Sequence, residues 1–223
     1  MDLTATDVRV LGCLIEKELT TPDQYPLTTN SLRLACNQKT NREPVVDFSD
    51  SVVDQAMLRL RQAGLARTVS AQSMRTSKHR HVLGEALGLD REELALLSTL
   101  MVRGPQTAGE LRGRTERMAT FDSVAEVEAM LGDLAGRSGE ALVARLDRQP
   151  GHKEERWVQL LSCEEFEAGL LDTRVPGSKA VSGGPAVEAL TQRVETLERE
   201  LAVLGGRFEA LCRQLGVEDP AVA

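Results

Sequence analysis

His79 and His81 are the two residues of this 223-residue chain whose spacing comes nearest to a metal site. They stand two apart on a stretch that reads as a strand, so both face one side. A metal pair needs further ligands, and no Cys, Asp or Glu follows at ligand spacing. Solvated hairpin residues are the favoured reading, and His152, after the Pro150-Gly151 turn, reads as exposed. Cys13 and Cys36 stand among apolar helix positions and read as core. Neither has a histidine near it in sequence to act as a base. Cys163 and Cys212 complete a set with no C-x-x-C spacing, which reads as reduced, cytosolic thiols. Glu16-Lys17-Glu18 and Glu154-Glu155 read as solvated faces, not as paired catalytic carboxylates. Gly183-Gly184 lacks the following Lys-Ser/Thr of a phosphate-cradling loop. No catalytic residue, metal, cofactor or small-molecule substrate is therefore expected, and the chain reads as non-enzymatic.

A second chemistry is contact with duplex DNA. Arg33, Lys39 and Arg42 cluster with Asn37, Gln38 and Asn41. Arg75, Lys78 and Arg80 form a second basic group. Between them, a helical stretch with Val53, Ala56, Met57 and Leu60 inward leaves Ser51, Gln55, Leu58 and Gln62 outward, with Asp54 and Arg59 on the flanks. Ser and Gln read base edges, and Leu58 suits a thymine methyl. Asp47, Asp50 and Asp54 near the start of that helix argue against it, because phosphates prefer helix N-termini free of carboxylates.

Helices and hairpins must carry these residues. Val8, Leu11, Ile15 and Leu19 fall at helical spacing, with Thr4 or Thr6 as N-cap. A second helix starts at Thr28 or Thr29, turns Leu32, Ala35 and Cys36 inward, and is ended by Asn41-Arg42-Glu43-Pro44. The third opens at Ser49 or Asp50 and stops at Gly64. Leu65–Ser70 reads as a strand, a basic tip follows, and His81-Val82-Leu83 reads as the return strand. Three helices and a hairpin is the order of a winged helix. The pattern recurs after about 75–80 residues, which marks a tandem duplication. Leu94 to Met101 form a helix ended by Gly104-Pro105, and Thr107-Ala108-Gly109-Glu110-Leu111 echoes Thr28–Leu32. Val127, Leu131 and Leu134 repeat Val53, Met57 and Leu60. A second hairpin flanks Pro150-Gly151.

The expected class is mainly α with short β-hairpin wings (α+β). Winged-helix domains at 1–84 and 85–163 precede a linker at 164–186 and a coiled-coil helix at 187–216. In that helix Val187, Leu190, Val194, Leu197, Leu201, Leu204, Phe208, Leu211 and Leu215 step by alternating three and four residues. This a/d repeat of about four heptads predicts a homodimer. Gly205-Gly206 weakens the repeat by roughly 1 kcal/mol per glycine.

Residues 1–84 carry 11 basic and 9 acidic side chains, and residues 85–163 carry 10 and 14. The first segment is thus the one whose sign favours nucleic acid. The second repeat's outward helix set is Asp122, Ala125, Glu126, Ala129 and Asp133, which a duplex would repel, so that domain is assigned to protein contacts. An aromatic share of 3 % argues against base-stacking single-strand binders. No apolar run approaches the ~18 residues of a membrane span. The acidic start lacks a secretory signal, so the expected location is the cytoplasm.

The run Glu16 to Leu32, continued by Ala35-Cys36-Asn37-Gln38-Lys39-Thr40-Asn41-Arg42-Glu43-Pro44-Val45, resembles the YceH family of bacterial proteins of unassigned function. Lys78–His81 and Arg148–Trp157 are similar to the matching hairpins of that family. The resemblance implies tandem winged helices and no particular activity. The function expected is a non-enzymatic, DNA-binding-like regulator. Duplex contact would run through the first domain by Arg33, Lys39, Asn41, Arg42, Gln55, Gln62, Arg75, Lys78 and Arg80. The competing expectation is an adaptor whose winged helices bind protein and not DNA.

Overall fold

The computed structural model describes residues 3–69, 76–146 and 154–162. Arg75, the linker at 164–186 and the heptad positions Val187 to Leu215 lie outside them. Helix α1 (Ala5–Thr20) opens on Thr4. The Thr4 hydroxyl accepts from the Asp7 N–H, and the Asp7 carboxylate accepts from the Thr4 N–H. Such caps satisfy helix-end donors and are worth about 1 kcal/mol each. A 3-10 turn at Pro22–Gln24 leads to strand β1 (Leu27–Thr28) and then to α2 (Thr29–Cys36), capped by Thr28. Ser49 caps α3 (Asp50–Gln62). The chain leaves α3 through Gly64 at φ 73°, a left-handed turn that a Cβ would strain.

Strands β2 (Ala66–Val69) and β3 (Lys78–His81) pair antiparallel, and β1 pairs with the other edge of β3. The return strand thus starts three residues before the expected His81. Its ladder closes where the Val82 N–H donates to the Leu65 carbonyl, and Leu83 then opens a short helix, α4 (Leu83–Leu87). Lys78–His81 is accordingly a paired strand and not a hairpin tip.

The same order follows again. Helix α5 (Arg91–Arg103) has the reciprocal Asp90/Glu93 cap, and α6 (Ala108–Thr115) has the Thr107/Glu110 cap. Ser123 caps α7 (Val124–Ala135), and β4 (Val143–Leu146) pairs with β5 (Arg156–Gln159). Gln106 bridges Trp157, in the position where Leu27 pairs with His79 in the first repeat. The architecture is α+β: helices with two small antiparallel sheets.

The two repeats share one core, with α1 and α5 at its centre. Leu11, Leu14, Ile15, Leu96, Leu97 and Leu100 are fully buried, and both helices are buried on all sides over their central turns, Asp7 to Ile15 and Leu94 to Val102. Gly12 sets how closely they cross: a Cβ there would lie 2.7 Å from Met101 Cβ and 3.0 Å from Val102 Cγ1. Backbone bonds also join the repeats. The Glu43 N–H donates to the Val102 carbonyl at 2.9 Å, and the Leu3 N–H to the Leu161 carbonyl at 3.2 Å. Residue 84, the expected domain boundary, falls inside α4. Among the described residues no helix is long and apolar enough to cross a membrane.

Candidate nucleic-acid interface

Helix α3 buries Val53, Ala56, Met57 and Leu60 and leaves Ser51, Gln55, Leu58 and Gln62 exposed, as its 3.6-residue period requires. The three carboxylates near its start are each bonded within the fold. Asp50 accepts from Arg33 Nε at 2.7 Å, and the same guanidinium donates to Asn30 Oδ1 at 2.8 Å. Asp47 accepts from Asn37 Nδ2 at 3.3 Å. Asp54 accepts from the Thr29 hydroxyl at 3.0 Å. Arg33 offsets the charge of Asp50 and is spent on it, while Asp47 and Asp54, bonded to neutral donors, keep theirs.

Arg42, expected at the DNA-facing surface, is instead withdrawn from it altogether. Its side chain has no exposed surface. Nη1 and Nη2 donate to the two Glu16 oxygens at 3.1 and 2.5 Å, Nε to the Ala35 carbonyl at 2.9 Å and Nη1 to the Asn41 carbonyl at 2.8 Å. Asn41, at φ 62°, makes the bend from which Arg42 turns inward; asparagine adopts that left-handed conformation more readily than most residues. Lys39 and Asn41 remain exposed on the loop.

His79 and His81 are not solvated hairpin residues, as the sequence had suggested: both are buried. His79 lies between two hydroxyls, with Nε2 3.0 Å from Thr29 Oγ1 and Nδ1 3.3 Å from Thr68 Oγ1. The Thr29 proton goes to the Asp54 carboxylate, which only accepts. Thr29 Oγ1 must therefore accept from His79 Nε2–H, and Nδ1 accepts from Thr68. This directed chain ties β2 and β3 to α2 and α3. His81 accepts at Nδ1 from the Leu83 N–H, and Glu18 lies against its Nε2. The Tyr25 hydroxyl accepts from the His81 N–H, and burial pushes that phenol above its ordinary range.

Burial pushes the His79 ring below its ordinary value, with Asp54 opposing the shift and Arg61 adding to it. The folded state therefore takes up the proton later than the unfolded chain does as pH falls. The resulting stability is complete above pH ~6.5 and is lost as pH drops through the window below it. Replacing His79 by Gln should flatten the fall in melting temperature between about pH 6.5 and pH 5. An unchanged slope in thermal melts across that range would refute the assignment of His79 as a neutral buried ring.

Further basic residues are exposed on α3 and on the hairpin that follows it. Arg61 is exposed on α3 itself, and Arg67 and Arg80 stand on the outer face of the hairpin, with Lys78 half-buried nearby. Arg61 and Arg67 were missed in the sequence. The two-residue strand period that turns Thr68 inward would have marked Arg67 as outward. Arg59 is held by Asp7, its Nε donating to both carboxylate oxygens at 3.0 Å.

Cys13 and Cys36 are both buried. The bond to Cys13 and burial push the Cys36 thiol above its ordinary value, which suits a core residue and not a nucleophile. Among the described residues no three of His, Cys, Asp and Glu could hold a metal ion together.

Comparison with known proteins gives the chain a family. Residues 3–152 match the family described as "Protein of unknown function, DUF480". A UPF0502 protein of Pelobacter propionicus is 46% identical over 207 residues, which cover 92% of this chain and 94% of that protein. A UPF0502 protein YceH of Salmonella paratyphi A is 43% identical over 219 residues, covering 96% and 98%. A UPF0502 protein of Solibacter usitatus is 45% identical over 211 residues, covering 95% and 97%. The chain belongs to this family. The resemblance carried by Glu16–Val45 is to this family; the three relatives named are bacterial, and none of their names states an activity.

In this DUF480 chain the second repeat differs from the first at the corresponding surface. Asp122, Ala125, Glu126, Ala129 and Asp133 are all exposed on or beside α7. Arg145 lies 4.7 Å from the centre of the Trp157 ring and pairs with Glu128 at 3.0 Å and Glu155 at 2.9 Å. Its charge is thus matched twice over. Thr107, Ala108 and Gly109 at the start of α6 share an open cleft with Glu128, Glu154 and Glu155.

Proposed function

We propose that each repeat is a winged helix and that the protein is a non-enzymatic regulator whose first repeat binds duplex DNA. The observation that carries this is the exposed polar face of α3. Gln55 and Gln62 stand free on it, Arg33 matches the charge of Asp50 at its start, Arg61 is exposed on the same helix, and Arg67, Lys78 and Arg80 lie on the outer face of the hairpin that follows. Gln55, Gln62 and Leu58 enter the major groove, and Lys39, Asn41 and the hairpin cations meet phosphates. Arg75 joins the hairpin group by its place in the sequence. The acidic face of α7 supports assigning the second repeat to a protein partner. The heptad Val187–Leu215 joins two copies.

Three or so phosphate contacts per copy give a log–log salt slope of roughly −3 for each copy bound. Fluorescence anisotropy of labelled duplexes against salt tests this, with sedimentation in the same buffers reporting the dimer. Neutralising Lys39, Arg61 and Lys78 together should weaken binding to all sequences alike and flatten the slope. Gln55→Ala or Gln62→Ala should change sequence preference at nearly constant slope. No binding by the native protein at about 50 mM salt would reject the DNA reading. The adaptor reading, in which both repeats bind protein, would then stand.

A further inference from the structure

Arg67 and Arg80 are register partners on β2 and β3. Residues directly opposite in an antiparallel pair point to one face, here the face opposite to Thr68 and His79. Two like charges so placed repel unless a counter-charge sits between them. Glu85, in the first turn of α4, supplies it. Arg80 Nη1 donates to Glu85 Oε1 at 3.0 Å, and Arg67 Nη1 lies 3.7 Å from Glu85 Oε2. Each carboxylate oxygen thus takes one guanidinium. Two oxygens of a phosphate group present the same arrangement, with more charge.

We propose that the Arg67–Arg80 pair is a phosphate clamp and that Glu85 is its built-in competitor, displaced when a phosphate group arrives. With the DNA reading above, on which this rests, the phosphate is a phosphodiester of the duplex. Free phosphate is the other source of the same chemistry. The site is open: the Arg67, Glu85 and Arg80 side chains are 62%, 56% and 31% exposed. Ion pairs this solvated are weakly held and exchange readily. One carboxylate against two guanidiniums also leaves a net positive charge, which draws an anion in. Arg42 has no such freedom, because its side chain is buried against Glu16. Glu85 sets the affinity of the clamp, and losing its charge leaves both arginines to the phosphate.

The test uses the full chain as native protein, Glu85→Gln, and the double variant Arg67→Gln with Arg80→Gln. All three positions lie at the surface, and circular dichroism confirms that each variant folds. Labelled duplex is titrated against salt by anisotropy. Inorganic phosphate is titrated separately, followed by the arginine side-chain NMR signals. Glu85→Gln should bind duplex about three- to tenfold tighter with a salt slope steeper by about one, and the double variant should lose that gain when combined with it. Phosphate should shift the Arg67 and Arg80 signals more in Glu85→Gln than in native protein. If native protein binds duplex and Glu85→Gln matches it in affinity and slope, the clamp is wrong and the DNA reading survives. If phosphate shifts the two arginines but no variant binds duplex, the clamp stands as a free-phosphate site and the DNA reading falls. If neither ligand has any effect, both are overturned.

Discussion

Replacing Arg42 by methionine should cost about 3–5 kcal/mol of stability, roughly 10 °C or more in melting temperature. The substitution keeps much of the apolar volume but strands the partners of a side chain with no exposed surface. Glu16, itself only 16% exposed, loses two charge-assisted bonds, and the carbonyls of Ala35 and Asn41 lose a donor each. Breaking one side of a buried pair is more costly than removing both, because the remaining charge keeps little compensation in a poor solvent; Glu16 keeps only Lys17, at 3.6 Å. Adding Glu16→Gln to the methionine variant should therefore restore part of the loss, and the double-mutant cycle isolates the pair. Urea unfolding followed by circular dichroism measures all three. A melting point unchanged by Arg42→Met, with weakened duplex binding, would mean that the arginine faces solvent and that its burial is wrong.

Gly12→Val should destabilise the described unit by about 3 kcal/mol, and Gly12→Ala by less. Two effects oppose each other at this position. Alanine in a helix interior is favoured over glycine by about 1 kcal/mol. Against this, a Cβ at Gly12 meets Met101 Cβ at 2.7 Å, and that carbon is tied to the α5 backbone and cannot swing away. Forcing atoms into a packed core costs about 1–3 kcal/mol, so the clash wins even for alanine, and the two further methyls of valine deepen it. Gly113 in α6 is the control, since a Cβ there meets nothing within 4 Å. Gly113→Ala should gain up to about 1 kcal/mol from propensity alone. Because α1 and α5 share one core, Gly12→Val should lower a single cooperative transition instead of freeing one repeat to melt early. A gain in stability for Gly12→Ala equal to that for Gly113→Ala would show that the two helices do not cross there.

The element order was legible in the sequence because its signals are local. Thr4, Thr28, Ser49 and Thr107 cap helices where their hydroxyls precede apolar residues at helical spacing. Gly64 and Gly104 stop helices at positive φ, and the repeat shows in matching residue types 74 to 79 positions apart. The exposed face of α3 followed from one period and one set of buried residues. So did the family, from a long run of matching residues.

The tertiary structure decided which polar side chains remain available. Arg33 and Arg42 both read as free cations in one cluster, yet one holds Asp50 and the other is buried on Glu16. His79 and His81 read as solvated, yet the fold takes both into its interior against Thr29 and Glu18. Gly12 looked like any helix glycine until α5 lay across it. Periodicity and capping act within a few residues of the chain, so the sequence alone determined the elements and their repetition. Whether a charge is buried depends on a partner brought from a distant part of the chain, because a guanidinium enters the core only where a carboxylate and carbonyls already converge to replace water.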